Sequence, residues 1–399
     1  MHRRKLVGQL IGRMKEKRRF IQVVTGPRQT GKTTAVHQAL ESISIPHHFI
    51  SADDPVLVSP EWLRNEWDKA RLLQKQKNKE IILAIDEIQK VPAWSSIIKL
   101  LWDEDSHKKI PIKVILSGSS SLLIQKGLNE SMAGRFEVLF CPHWNYSECK
   151  TTFKYKLDDF LFFGGYPGAA TLKNDVERWA RYMGTSIVEP VISKDILQME
   201  EVRKPALLRS LFTLGASYSA QELSYTKILG QLHDAGNTVT LAHYLELLAK
   251  ANILCSLQKY SANKIRIKQS SPRFMVYDTS LLTWASIGPI SGASRKNFLE
   301  TPENYGRLAE SAVGAFLLAR GIEEGFSVHW WREKDKEVDF VIAKGTKALT
   351  AIEVKSGIVK HLGGSLAFKK LYPEALCLTL GSQDCSIEDF LLGKVPLFN

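Results

Sequence analysis

The stretch that decides the fold is VVTGPRQTGKTT, residues 23–34. Gly26-Pro27-Arg28-Gln29-Thr30-Gly31-Lys32-Thr33 fits G-x-x-x-x-G-K-[ST] at every fixed position, with Thr34 next. A β-rich run, FIQVV, precedes the loop, and a helical pattern, TAVHQAL, follows it. This context makes the stretch a phosphate cradle. Gly26 and Gly31 let the backbone bend so that N–H groups point inward, and the helix N-terminus adds partial positive charge. The expected ligand is ATP or GTP, with Lys32 on the β and γ phosphates and the Thr33 hydroxyl on Mg²⁺.

Working outward, the apolar runs HHFIS, IILAID and KVILSGS alternate with helical patterns up to about residue 150. Strands alternating with helices predict an α/β fold on a mainly parallel sheet. The lack of polar alternation predicts strands buried on both faces. IILAIDEIQ delivers Asp86 and Glu87 to a strand end. Asp86 is the expected Mg²⁺ holder, and Glu87 the group that polarises the attacking water. KVILSGSSSLL offers Ser119 as the γ-phosphate sensor, with Ser117 as the alternative. SMAGRFEV places Arg135 where, in a homo-oligomer, it reaches a neighbour's γ-phosphate.

GPRQTGKTT, AIDEIQKVPAW, LSGSSSLL, AGRFE and FGGYPGA, in this order along nearly the whole chain, resemble a widespread prokaryotic group of AAA+ ATPases. Members of that group join an ATPase module to a winged helix and a C-terminal domain. The resemblance implies an αβα P-loop NTPase core, ATP rather than GTP, and a multimer. It implies no cellular task.

The net charge of +12, with a pI of about 9.3, favours a polyanionic partner and points to DNA. Eight of the first 20 residues are Lys or Arg, against one Glu. From about residue 155 the texture turns helical, and TVTLAHYLELLAKANIL has Leu241, Leu245 and Leu248 on one face, with Asn237 or Thr238 as its cap. ILCSLQKY and KIRIKQS then read as a hairpin, and the order is that of a winged helix-turn-helix. Its recognition helix would show His243, Tyr244 and Lys250, and its wing would carry Lys264, Arg266 and Lys268 near phosphates. SIGPISGASRKNFLETPEN reads as a linker. The expected domains are 1–150 (ATPase), 151–290 (helical lid and winged helix) and 291–399 (a second α/β unit).

In that last region WREKDKEVDFVIAKGTKALTAIEVKSG puts Asp339 in one strand and Glu353 and Lys355, two apart and so on one face, in the next. Asp339 and Glu353 are candidate Mg²⁺ ligands, Lys355 can neutralise developing charge, and Glu310 on the preceding helix can complete the set. The pattern resembles the PD-(D/E)xK nucleases, which implies a restriction-endonuclease-like α/β domain. Whether it cuts stays open. One reading is an ATP-dependent DNA-processing or defence nuclease. The other is an ATP-driven switch or DNA-binding regulator whose nuclease-like domain only binds a partner, DNA or protein. A protein-remodelling ATPase lacks an aromatic pore-loop signature. Five cysteines without CxxC spacing, no apolar leader and no long apolar run predict a reduced, cytoplasmic protein with no membrane association.

Overall fold

The computed structural model describes residues 2–53, 58–118, 124, 127–128, 132–197, 202–232, 237–261, 271–288, 294–345, 348–356, 363–382 and 385–398. The chain divides into two compact units, Met1–Pro142 and His143–Asn399.

The first unit holds β1 (Ile21–Thr25), β2 (His47–Ser51), β3 (Ile81–Asp86), β4 (Ile112–Ser117) and β5 (Phe136–Phe140). They form one sheet, ordered β2-β3-β4-β1-β5, with every pairing parallel. Helices α1 (Lys5–Lys15) and α2 (Lys32–Glu41) and helices α3 (Pro60–Lys77) and α4 (Trp94–His107) supply the two covering layers. Alternate residues of the central strands feed the two cores. Val24, Ile82, Ala84 and Ile115 pack with Leu10, Val36 and Leu40. Ile21, Val23, Leu83 and Leu116 pack with Trp67, Ile98 and Trp102. Strands β1, β3 and β4 are buried at every position, which is why their sequences run apolar without alternation.

The second unit pairs helices with a mixed sheet ordered β11-β10-β9-β8-β6-β7. Its strands are β6 (Leu254–Lys259), β7 (Arg273–Val276), β8 (Ser327–Glu333), β9 (Lys336–Lys344), β10 (Ala348–Val354) and β11 (Leu376–Leu380). The helices used below are α5 (Leu157–Phe163), α6 (Pro205–Ser217), α7 (Thr238–Lys250), α8 (Thr279–Ile287), α9 (Arg295–Glu300), α10 (Pro302–Glu324) and α11 (Gly363–Leu371). Asn237 is the cap of α7, its side chain accepting from Thr240 N–H at 2.9 Å.

Three expectations change here. The described antiparallel partner of β6 is Arg273–Val276, and β6 also pairs in parallel with β8, so the hairpin strand belongs to the C-terminal sheet. The KIRIKQS run lies outside the described residues. Tyr244 is buried rather than on the open face of α7, because its hydroxyl accepts from Lys204 N–H at 3.1 Å. The second half of the expected linker is helical as α9, with Ser294 capping it. Trp330 and Trp331 are core residues.

The FGGYPG stretch ends α5 against the start of α8. Asp278 Oδ2 accepts from Gly165 N–H at 2.7 Å, and Oδ1 accepts from Ser280 N–H at 3.0 Å. Complete burial pushes the Asp278 carboxyl up to about 6. None of the five cysteines is paired. Among the described residues no helix is long and apolar enough to cross a membrane.

Candidate active site: a phosphate loop and a second acidic cluster

The phosphate loop leaves the C-terminal end of β1 and enters α2. Gly26 has φ +148°, and a Cβ there would collide with the Cys141 carbonyl, its carbon only 3.0 Å away. Glycine is therefore required both by conformation and by the close approach of the segment leaving β5. Cys141 N–H donates to Thr25 O at 2.7 Å, fixing that approach. Gly31, at φ +90°, is the N-cap of α2.

Lys32 is buried, and its ammonium donates to Gly26 O at 3.0 Å and Pro27 O at 2.5 Å. Thr33 Oγ1 donates to Asp86 Oδ2 at 2.7 Å, and Ser117 Oγ donates to Asp86 Oδ1 at 2.5 Å. Three elements thus meet: the loop, the end of β3, and the end of β4 that lies between β3 and β1. This donor set fits Mg²⁺ with a nucleotide, because it offers a hydroxyl beside a buried carboxylate at the mouth of a glycine cradle. The metal would supply charge neutralisation at the phosphates. The chain's own contribution is to hold the Thr33 and Ser117 hydroxyls on either oxygen of Asp86.

Glu87 follows in a left-handed conformation, φ +53°, rare for a residue with a side chain. Its carboxylate accepts from Gln89 Nε2. Gln89 is seated so closely on Gly118 that any Cβ at 118 would meet its amide. A strained, side-chain-supported acid at a strand end suits a group that must hold one orientation. Ser119 lies outside the described residues, and Ser117 is the described serine that joins the site.

Arg135 forms a two-bond fork with Asp103 of the same chain, Nε and Nη2 each at 2.8 Å from a carboxylate oxygen. Those bonds hold the Asp103 carboxyl below its ordinary range. Arg4 was legible only as one of a run of basic residues. It is buried, and its Nη1 lies 3.0 Å from Thr30 O, 3.1 Å from Cys141 Sγ and 3.0 Å from Pro142 O. It ties α1 to the phosphate loop.

In the second unit, Glu310 (α10) and Asp339 (β9) meet at a residue the sequence did not single out, while Glu353 (β10) pairs with Lys355. Arg273, on β7 and buried, donates to Glu310, to Glu337 Oε1 at 2.7 Å and to Ala220 O at 3.1 Å, and lies 3.5 Å from Asp339 Oδ1. Burial pushes the Glu310 and Asp339 carboxyls up, against the pull of the guanidinium. Asp339 Oδ2 accepts from Val354 N–H at 2.8 Å. Glu353 Oε1 accepts from Ser365 N–H at 2.6 Å and Ser365 Oγ at 2.8 Å, while Oε2 lies 3.3 Å from Lys355 Nζ. Among the described residues no three His, Cys, Asp or Glu side chains are disposed to hold a metal. The Mg²⁺ site expected at Asp339 and Glu353 therefore does not fit this arrangement: the Arg273 guanidinium is paired with Asp339, while Lys355, itself part of the expected set, is paired with Glu353. Lys264, Arg266 and Lys268 lie outside the described residues.

Residues 18–150 match the family described as AAA domain. Residues 154–291 and 305–397 each match a domain of unknown function, DUF8612 and DUF4143. An uncharacterized protein of Methanocaldococcus jannaschii is 25% identical over 363 residues, covering 83% of this chain and 74% of its own. One of Mycobacterium tuberculosis is 26% identical over 324 residues, covering 80% of this chain and 67% of its own. Among solved structures, a Walker-type ATPase of Pyrococcus abyssi superposes with TM-score 0.49 at 16% identity, over 71% of this chain and 95% of that one. The ORC2 protein of Aeropyrum pernix gives 0.45 at 12% identity, over 71% and 91%. Both scores lie below 0.5, so the assignment rests on the family match. The first unit has the parallel α/β sheet and phosphate loop of a P-loop fold, in keeping with the match of residues 18–150 to the AAA domain family.

Proposed function

We propose that this protein binds ATP with Mg²⁺, hydrolyses it, and uses the cycle as a switch that acts on DNA without cutting it. The observation that carries the ATPase reading is the Thr33–Asp86–Ser117 network at the mouth of the glycine cradle. Lys32 would hold the β and γ phosphates, Gly26 to Thr34 would supply backbone donors, and Glu87 would orient the attacking water.

Charge supports the DNA part. Among the described residues four Lys or Arg are buried (Arg4, Lys32, Lys113, Arg273), against seven Asp or Glu (Glu66, Asp86, Asp105, Asp159, Asp195, Asp278, Glu353). With the net charge at +12, the rest of the chain carries a formal excess of +15, so burial sharpens the basic balance instead of hiding it. A field of that sign concentrates a polyanion and steers its approach. Lys264, Arg266 and Lys268 would contact phosphates. The non-cutting reading of the C-terminal domain is favoured by Arg273, which sits among the acids that a nuclease would reserve for metal.

Three measurements test this. Lys32→Ala should abolish ATP binding, and Glu87→Gln should keep binding while losing turnover; a wild-type chain that does neither refutes the ATPase. DNA affinity should fall steeply with salt, with a slope reduced by Lys264→Ala and Arg266→Ala; a flat salt dependence refutes the DNA partner. Duplex, branched and single-stranded DNA with Mg²⁺ or Mn²⁺ should stay intact. Cleavage lost on Asp339→Ala would restore the nuclease.

A further inference from the structure

Every oxygen of Asp339 and Glu353 already has a partner within this chain. Asp339 uses a backbone N–H and Arg273, and Glu353 uses Ser365 and Lys355. Glu353 is the most enclosed of these acids, and Gly364 lets the start of α11 close over it: a Cβ at 364 would collide with Glu337 O and stand 2.9 Å from Glu353 Oε1. Arg273 approaches from β7, on the far edge of the sheet order, and its fork spans α10 and β9. Glu337 is held in turn by Arg332, whose Nε lies 3.1 Å from it, and Arg332 Nη1 is 2.7 Å from Glu222.

We propose that Arg273 is the resident cation of this acidic cluster, standing in for a divalent metal, so that the wild-type chain takes no divalent ion there and a Mn²⁺-class site opens only when the guanidinium is removed. A guanidinium offers several N–H donors in a fixed fork, which suits three carboxylates arriving from two elements. It holds Glu310 and Glu337 by hydrogen bonds and Asp339 by charge at 3.5 Å, where a bare metal would coordinate. Because it also bonds Ala220 O, it ties the turn after α6 to the same cluster. The site is thereby built as a joint of the second unit in which Arg273 offsets part of the acidic charge. This inference rests on the non-cutting reading given above.

The test is Mn²⁺ binding, followed by the loss of the free-ion EPR signal, on nucleotide-free full-length chain carrying Thr33→Ala to silence the other acidic site. Arg273→Gln should bind Mn²⁺ at least about tenfold more tightly than the parent, and Arg273→Gln with Asp339→Asn should lose the gain. A folded Arg273→Gln chain that gains nothing overturns the proposal. So does Mn²⁺ binding by the parent that Asp339→Asn abolishes. If Arg273→Gln does not fold, the parent and Asp339→Asn alone decide: identical traces support the resident cation. Mn²⁺ binding by the parent, lost on Asp339→Asn and unaccompanied by DNA cleavage, would sink only the role of Arg273, whereas metal-dependent cleavage would sink the non-cutting reading itself.

Discussion

Gly26→Ala should disable the phosphate loop by simple crowding. The new Cβ would stand 3.0 Å from the Cys141 carbonyl carbon and 3.3 Å from Cys141 Cβ. Carbon atoms prefer about 3.5–4.0 Å, so the two segments must part by roughly 0.5–1 Å, and more to clear the carbonyl oxygen. The Cys141 side cannot yield easily. Its N–H is bonded to Thr25 O, and Arg4 grips Cys141 Sγ and Pro142 O. The loop must therefore move, carrying the donors that meet the phosphates. A misplacement of about 1 Å in a positioned site costs on the order of 10²-fold in rate, equivalent to about 2.7 kcal/mol of transition-state stabilisation. The φ of +148° adds about 1–3 kcal/mol of backbone strain to folding. Steady-state ATPase kinetics and thermal unfolding separate the two effects. Gly134→Ala is the control, since φ is +77° there but nothing lies within 4 Å of the added Cβ; it should show strain with little loss of turnover. If Gly26→Ala keeps kcat/KM within about twofold of wild type while folded, the loop is not held as described.

Arg4→Met keeps much of the stem but removes the Nη1 bonds to Thr30 O and Pro142 O. It should raise the KM for ATP by about tenfold or more, since a buried bond from a charged group is worth about 1.5–3 kcal/mol; an unchanged KM would show that α1 does not brace the loop. If Arg135 acts across subunits, Arg135→Ala should lose ATPase activity that returns on mixing with Lys32→Ala chains; failure of mixing to restore activity would confine Arg135 to its pair with Asp103. The buried Asp278, raised to about 6 in the fold, binds more protons folded than unfolded between roughly pH 4 and 6. Stability should therefore fall as pH rises through that window, by about 2–3 kcal/mol from this group, and Asp278→Ala should flatten that part of a denaturant–pH series.

The first unit was legible because its signals are local. Three of the four runs, β1, β3 and β4, are unbroken because they are buried on both faces, the fourth, β2, is the half-exposed edge strand, and the glycine loop must follow a strand to serve its helix. Asp86 and Thr33 could be named from spacing alone, since both lie at the end of an element that fixes their direction. Arg4 and Gln89 were not legible. Each acts through a carbonyl or amide brought near by strand order, which no local pattern encodes. The same limit explains Tyr244: helical periodicity gives a face, but the Lys204 backbone that covers this position arrives from 40 residues away. Arg273 lies in a basic stretch without acids, where nothing local marks it out. Only the pairing of β6 with β8 turns it toward Glu310, Glu337 and Asp339.

The two acidic sites of this chain differ in the kind of partner their carboxylates accept, and that difference decides what each can hold. Asp86 is bonded by hydroxyls, from Thr33 and Ser117. A hydroxyl carries lone pairs as well as a proton, so it can share a carboxylate with a cation and itself become a ligand. Asp339 and Glu353 face a guanidinium, an ammonium and N–H groups. The Ser365 hydroxyl on Glu353 also has a lone pair, but none of these other partners has one to offer a metal. Two of them repel one, by about 4 kcal/mol per unit charge at 4 Å in a partly screened interior. Counting carboxylates in the sequence therefore suggests two metal sites, whereas the cations already paired with Asp339 and Glu353 count against the second. By that criterion the energy of ATP is handled in the first unit, and the acids of the second serve to hold Arg273 and, through it, the elements it joins.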